Sequence, residues 1–364
     1  MQSVEIAHWR MHNLGLTEAR FQHPEDVVRW LGAVQSQDYG PAKWALGERV
    51  GTTTSDAALD AIFASGAILR THVLRPTWHF VLRDDIRWMQ ELTAPRVHAF
   101  NAYYYRQAEL DEPTLLRATT LITEALRDGQ QLPRKQIAAL LERAGIVASG
   151  LRLGYILMHL ELNGLICSGA LGGKQHTYAL LEDRAPAAKQ LTRDEALAEL
   201  TRRYFTSHGP ATVKDFRWWS SLTLADIAQG LALNRAHLDH ATHDGITYWF
   251  AADSAAPPAV PSPTVHLLQA YDEYFVGYTE SKYVLDASGT ARASVGDRSI
   301  FNHVLILDSQ VAGCWKRTLT RDTVSIEAKL YRPLSSAQHE ALHAAASAHA
   351  AFLGLTARVV TSLL

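Results

Sequence analysis

The spacing of hydrophobic residues predicts a stretch in which two helices are followed by a pair of strands. From Ile137 onward, apolar residues recur at positions i, i+3 and i+4, which is helical spacing. Gly145 ends this helix, and a second helix over 151–163 stops at Gly164 before two short strands around a glycine-rich turn. Helix, turn, helix and hairpin is the order of a winged-helix unit. The pattern therefore predicts such a unit over 131–185.

A second stretch of the same plan occupies residues 1–83. Pro24 is well placed to open a helix, since proline is tolerated in a first turn. The break at Gly40 and Pro41 is expected to end that helix. Residues 67–82 have the composition of two strands. We therefore predict a first winged-helix unit over 1–83.

The remaining sequence predicts one more such unit and a domain of a different kind. Thr192 is a suitable cap for the first helix of a unit over 190–252, and residues 84–130 form a helical connector. In the segment 264–364 we expect five strands and one alanine-rich helix over 336–352. The predicted fold class is α+β, with three tandem winged-helix units followed by a C-terminal β-rich domain.

Composition narrows the function classes. A length of 364 residues suggests several domains, and 47% hydrophobic residues are typical of a folded protein. No apolar run approaches the roughly 20 residues needed to span a membrane, and the N-terminus lacks an apolar signal core, so we expect a cytoplasmic protein without membrane association. Cys167 and Cys314 stand alone and the 17 histidines are scattered, so we expect no metal and no other cofactor.

The net charge of -2 counts against a protein that holds DNA by bulk electrostatics. It leaves room for a local basic surface, and arginines are frequent between Arg70 and Arg106. The alternative is an ordinary solvated helix face with mixed charges.

The first candidate for chemistry is the pair Gln35 and Gln37. Side chains two residues apart on a regular helix point about 200° apart, so they line one pocket only where the backbone turns. The break at Gly40 and Pro41 provides such a turn. The alternative is a polar helix end that caps itself.

A second candidate is the polar face of a predicted strand. Arg75, Thr77 and His79 alternate with apolar residues and so share one face. Pro76 is expected to interrupt the pairing of this strand, because proline has no N–H to donate. The face combines a cation, a hydroxyl and an imidazole, which is more than solvation requires. The alternative is an amphipathic strand with a solvated face.

A third candidate is the pair Asp272 and Glu273, which lies among aromatic residues after a predicted strand. Paired carboxylates can perform acid/base chemistry. The alternative is a cluster that makes hydrogen bonds at a domain junction.

Four motifs together carry a resemblance that spans almost the whole chain. The chain resembles the bacterial tandem winged-helix DNA glycosylases, the family of the azinomycin-resistance and interstrand-crosslink glycosylases. The motifs are Gln35-x-Gln37, Arg75-x-Thr77-x-His79, Gly209-Pro210-Ala211-Thr212-x-x-Asp215-Phe216-x-x-Trp219 and Asp272-Glu273-Tyr274-x-x-Gly277-Tyr278. The resemblance implies a C-shaped clamp around DNA, with Gln35 and Gln37 as the catalytic pair. The Gln-x-Gln form is more similar to the crosslink-resistance branch than to the Gln-x-Asp branch.

The implied activity is monofunctional hydrolysis of the N-glycosidic bond of N7-alkylated guanine, in simple adducts, bulky adducts or interstrand crosslinks. Alkylation at N7 makes the base cationic and a good leaving group, so two amide oxygens that hold a water suffice although glutamine is a poor base. Asp38 is an alternative acceptor, and Asp272 and Glu273 are accessory candidates. The predicted partner is double-stranded DNA carrying alkylated purines, bound by a monomer. The DNA contacts are assigned to Arg75, Thr77, His79, Lys174, His176 and Lys214.

Two other functions fit a winged-helix protein. A non-enzymatic regulator would bind a specific sequence, commonly as a symmetric dimer, and a scaffold would recruit repair partners without releasing any base. The second helix over 151–163 is mostly apolar, which argues against sequence recognition by that helix.

Overall fold

A computed structural model describes residues 2–18, 20–51, 54–259, 261–295 and 303–364. The chain forms two compact units. The larger unit comprises residues 1–59, 198–219 and 224–364, and the smaller unit comprises 60–197 and 220–223. Within the described ranges, no helix is long and apolar enough to cross a membrane.

The helices are α1 Ser3–Asn13, α2 Pro24–Leu31, α3 Tyr39–Val50, α4 Asp56–Ser65, α5 Ile86–Gln107, α6 Glu112–Ala125, α7 Arg134–Arg143, α8 Gly150–Leu162, α9 Leu181–Arg184, α10 Arg193–Ser207, α11 Val213–Ser220, α12 Leu224–Leu233, α13 Glu273–Val276, α14 Thr290–Val295 and α15 Ser336–Leu353, with a 3-10 helix over Lys282–Asp286. The strands are β1 Val34–Gln35, β2 Ile68–Val73, β3 Arg75–Leu82, β4 Leu132–Pro133, β5 Ile166–Ser168, β6 Thr177–Leu180, β7 Leu238–His243, β8 Ile246–Ala251, β9 Val265–Leu268, β10 His303–Leu307, β11 Gln310–Leu319, β12 Thr323–Leu330 and β13 Thr356–Leu363. The α+β fold class is confirmed.

The C-terminal part of the larger unit is a five-stranded sheet in the order β13-β12-β11-β10-β9. All neighbours are antiparallel except β12 and β13, which are parallel. Alternate residues of β12 face the core, and α15 packs against β9 and β13. Ser335 caps α15 through a reciprocal capping box with Gln338. The five strands and the helix expected here from the hydrophobic pattern are therefore confirmed.

The start of the larger unit corrects one expectation. Helix α2 ends at Leu31, since Gly32 adopts φ 83° and its N–H donates to the Val28 carbonyl. Gly40 and Pro41 do not end a helix; they lie in the first turn of α3, where a missing N–H costs nothing. The predicted helix end was wrong because proline can either stop a helix or start one.

In the smaller unit, the end of α4 is followed by the antiparallel pair β2 and β3. The chain reverses at Leu74, which adopts φ 63°. Val73 pairs with Arg75 and His72 pairs with Trp78, so the register shifts at Pro76 as expected.

The rest of the smaller unit contains α5 to α9 and a three-stranded sheet in the order β4-β6-β5. Helices α6, α7 and α8 share one hydrophobic core with Ile166 of β5 and Tyr178 of β6. The predicted order of helix, turn, helix and hairpin over 131–185 is confirmed for its individual elements. The boundaries assigned to the winged-helix units stay a prediction.

Candidate active site around Gln35

The Gln35 to Gln37 segment runs from the last residue of β1 into the loop before α3. Gln35 is 6% exposed and Ser36 is fully buried, whereas Gln37 and Asp38 are exposed. Asp38 is the N-cap residue of α3, yet its side chain makes no cap hydrogen bond within the described part of the chain. The segment therefore passes from the interior to the surface, and the Asp38 side chain does not cap α3.

The backbone of Gln35 is held on both sides by side chains from the Asp272 motif region. Its N–H donates to Oε1 of Glu273 at 2.9 Å, and its carbonyl accepts from Nε2 of Gln269 at 3.3 Å. The other oxygen of Glu273, Oε2, accepts from Nε1 of Trp219 at 2.8 Å and lies 3.3 Å from Nε2 of His208. We call Gln35, His208, Trp219 and Glu273 the Glu273 cluster.

His208 is the fully buried imidazole of this cluster. Burial lowers its pKa, although the hydrogen bond and the charge of Glu273 act in the opposite direction. Its ring stacks on Tyr204 with centroids 4.7 Å apart and planes inclined by 12°. Nδ1 lies 2.8 Å from Oγ of Ser207. Because an ionised carboxylate can only accept, Nε2 of His208 carries a proton and donates to Glu273.

Asp272 is engaged in a separate buried ion pair. Arg49 reaches its two carboxylate oxygens at 2.8 and 2.9 Å, with side-chain exposures of 1% and 0%. Burial opposes the charge of Arg49, but Asp272 holds the pKa of Arg49 above its ordinary value. Asp272 also caps α13 by accepting from the N–H of Tyr274. Since both Asp272 and Glu273 are fully buried and bonded to donors, the geometry favours the hydrogen-bonding interpretation of this pair.

The Gly209 motif packs into the same interior. Asp215, fully buried, accepts from the backbone N–H groups of Thr212, Thr279 and Ser281. The hydroxyl of Tyr278 donates to the carbonyl of His208 at 2.8 Å. Three of the four sequence motifs thus meet in the larger unit, around Gln35.

Several residues of this network carry no sequence signal. Arg10 is fully buried, donates to the carbonyls of Pro210 and Ser281, and lies 3.8 Å from the ring centre of Tyr278. Arg49 is also fully buried and also donates to backbone carbonyls. Arginine is normally found at surfaces, so a buried arginine is visible only once its acceptors are known.

Arg75, Thr77 and His79 belong to the smaller unit, where they follow one another along β3. His79 is fully buried, Arg75 is 8% exposed and Thr77 is partly buried. Burial, followed by the charge of Arg75, holds the pKa of His79 well below its usual value. Its Nδ1 donates to the carbonyl of Thr77 at 2.9 Å, while Nε2 has no hydrogen-bond partner among the described residues. A solvated face is therefore the wrong interpretation of this strand, and its contact with DNA stays a prediction.

The other predicted DNA contacts lie at the surface. Lys174 is exposed and His176 partly buried in the loop between β5 and β6. Lys214, on α11, pairs with Glu280 at 2.5 Å although its own side chain is 69% exposed. The described residues contain no group of three or more His, Cys, Asp or Glu side chains placed to hold a metal ion.

Comparison with known proteins gives three findings. A family model described as "DNA glycosylase AlkZ-like" matches residues 28–352. The chain is 22% identical over 324 residues to a Streptomyces sahachiroi protein named "Interstrand DNA cross-link repair glycosylase", covering 86% of this chain and 87% of that protein. The solved structure of Streptomyces sahachiroi DNA glycosylase AlkZ has a TM-score of 0.79 and 21% identity, covering 99% of this chain and 100% of that one. The structural likeness shows a shared fold.

Proposed function

Because the chain belongs to the AlkZ-like DNA glycosylase family, we propose that it hydrolyses the N-glycosidic bond of N7-alkylated guanine in double-stranded DNA. It is a DNA glycosylase, a hydrolase acting on N-glycosyl bonds, and the resemblance inferred from the four motifs is confirmed. The proposed lesions are simple adducts, bulky adducts and interstrand crosslinks, met in DNA repair or in self-resistance to a genotoxin. The crosslinks are included because the curated relative is named for their repair.

The placement of Gln35 and Gln37 is the observation that carries this proposal. Gln35 is anchored by its backbone in the interior, and Gln37 and Asp38 emerge at the surface two and three residues later. A cationic base leaves with little help, so the protein has to position a water and stabilise the positive sugar. The amide oxygens of Gln35 and Gln37 are assigned to both tasks, since an amide oxygen accepts from water and presents partial negative charge. Asp38 is a further acceptor beside them.

The apolar second helix of the 131–185 unit supports an enzyme over a sequence-specific regulator. Gly150 and Leu151 are the only exposed residues of α8, which the structure describes throughout, and neither has a polar side chain. A helix that reads bases needs several polar side chains on its outer face. We assign backbone contacts to DNA instead, at Lys174, His176 and Lys214 and along the Arg75, Thr77 and His79 face. A single copy of the chain carries all of these residues, so we propose a monomer.

The test is the release of 7-methylguanine from methylated duplex DNA, with the strand examined for breaks. The wild-type protein is expected to release the base and leave an intact abasic strand until alkali is added. The combined change Gln35→Ala and Gln37→Ala is expected to reduce release by at least about 100-fold, the order found when positioning and electrostatic groups are removed. Gln130→Ala, which alters an exposed glutamine of the smaller unit, is the matched control.

Full release by the double variant would show that the two glutamines are not the catalytic pair. Tight binding to one DNA sequence without release of any base, by wild-type protein, would favour the regulator instead.

A further inference from the structure

We infer that Glu273 is a positioning residue for base excision, which acts by fixing the peptide of Gln35. The inference rests on the proposed catalytic role of the Gln35 to Gln37 segment. It assigns to Glu273 a task that involves no contact with DNA or with the attacking water.

The burial and the hydrogen bonds of Glu273 prevent it from acting as a general base. Its side chain is fully buried, and both oxygens already accept hydrogen bonds, one from the backbone N–H of Gln35 and the other from Nε1 of Trp219. A general base has to reach the proton that it removes, directly or through one water. A carboxylate enclosed by Gln35, Trp219 and His208 has no such access, so its influence on the reaction passes through the groups that it holds.

The cluster explains why the position requires a carboxylate. Three N–H groups converge on the two oxygens. The backbone N–H of Gln35 lies on Oε1, and the indole of Trp219 and the imidazole of His208 lie on Oε2. An ionised carboxylate is acceptor-only and satisfies all three. A glutamine in the same place offers one oxygen and one NH₂ group. Either orientation of that amide sets its NH₂ against at least one of the convergent donors.

The bond to Gln35 is the one that bears on catalysis. With the N–H held by Glu273 and the carbonyl held by Gln269, the backbone of Gln35 is constrained on both sides. Ser36 is buried and Gln37 is already exposed, so a displacement at Gln35 is carried directly to both catalytic amides. Displacements of about 1 Å at a reacting centre can cost on the order of 100-fold in rate.

The experiment compares Glu273→Gln with Asp215→Asn. Asp215 is the matched control because it too is a fully buried carboxylate that accepts backbone N–H groups in the larger unit, but none of those groups belongs to the catalytic segment. For each full-length protein, three quantities are measured: the single-turnover rate of base release per folded molecule, the Kd for undamaged duplex DNA, and the hydrogen-exchange rate of the backbone N–H of Gln35.

We expect Glu273→Gln to lose about 10- to 100-fold in single-turnover rate, the range for a lost hydrogen bond to a charged group. Its Kd for DNA should stay within about threefold of wild type, because no DNA contact is altered. The Gln35 amide should exchange at least about tenfold faster, since its acceptor is weakened. Asp215→Asn should lower thermal stability while keeping the rate per folded molecule within about twofold and leaving Gln35 exchange unchanged.

Each outcome separates this inference from the proposed function. Wild-type protein that releases no 7-methylguanine contradicts the proposed substrate, and the exchange of the Gln35 amide still tests the anchor. Unchanged Gln35 exchange in Glu273→Gln overturns the inference, as does a rate loss no larger than that of Asp215→Asn. An acidic limb in the wild-type pH–rate profile that disappears in Glu273→Gln would instead make Glu273 a direct acid or base.

Discussion

The buried ion pair between Arg49 and Asp272 leads to a quantitative prediction for Asp272→Asn. The substitution keeps the size of the side chain and removes its charge. Arg49 is then left with a buried positive charge that faces an amide in place of a bidentate carboxylate. One of the two oxygens also becomes an NH₂ group, which opposes the guanidinium in either orientation and the N–H of Tyr274 in one of them.

The expected loss follows from the burial of both partners. Removing one member of a buried ion pair costs about 3–5 kcal/mol, because the other charge remains without compensation. Arg49 also donates to the carbonyls of Leu14 and Ala45, and these bonds survive the substitution. We therefore expect the lower end, about 3 kcal/mol. At roughly 3 °C per kcal/mol for a unit of this size, the thermal midpoint falls by about 10 °C.

The assay is urea unfolding followed by circular dichroism, with thermal unfolding as a second measure. Asp26→Asn is the matched control, since Asp26 pairs with Arg29 at 2.7 Å in the same unit but at the surface, with side-chain exposures of 40% and 57%. An exposed pair contributes about 0–1 kcal/mol, so this variant should lie close to wild type.

A loss below about 1 kcal/mol for Asp272→Asn, or a loss equal to that of Asp26→Asn, would refute the reasoning. It would mean either that the interior around Arg49 tolerates an uncompensated charge or that the guanidinium moves to solvent. A loss of base release that exceeds the loss of folded protein would give Asp272 a role beyond this ion pair.

Two further predictions concern the larger unit. Burial, with the charge of Arg317, lowers the pKa of His349 to about 3, whereas an unfolded histidine titrates near about 6.5. The unfolded state therefore binds the proton first, and the free energy of unfolding decreases as the pH falls below about 6.5. Between about pH 7 and pH 5, the free energy of unfolding of His349→Gln should decrease by about 2 kcal/mol less than that of wild type, as measured in urea titrations. At Gly47 an added Cβ would lie 2.6 Å from Cε2 of Phe352, so Gly47→Ala should cost about 1–3 kcal/mol, and Phe352→Leu in the same chain should recover part of that loss. Equal acid sensitivity of His349→Gln and wild type, or additive losses at Gly47 and Phe352, would contradict these two expectations.

The elements of the fold were largely predictable because their signals are local. The C-terminal strands and α15 follow from alternation and from a capping box whose residues are three positions apart. Strand β7 has a weak local signal, since four of its six residues are polar, and it is a strand because β8 pairs with it. The helix end predicted at Gly40 and Pro41 was wrong because this dipeptide suits the end of one helix as well as the start of the next.

For the candidate site, too, the residues could be predicted from the sequence but their contacts could not. The sequence singled out Gln35, Gln37, Asp272 and Glu273, but as separate motifs with separate roles. The structure joins the N–H of Gln35 to Glu273 across 238 positions of the chain and occupies Asp272 with Arg49. Neither contact has a signature in the neighbouring residues.

The sequence by itself determined which residues are available for chemistry, which segments are helical or extended, and the family to which the whole pattern belongs. Only the tertiary structure decided that Glu273 lies buried against the peptide of Gln35 and that His79 is closed to solvent. The physical reason is that propensity, capping and periodicity act over a few residues, whereas the cost of burying a charge or an imidazole depends on donors and acceptors from distant segments. A carboxylate in a motif is the same letter whether it removes a proton or holds a backbone, and its burial and partners distinguish the two.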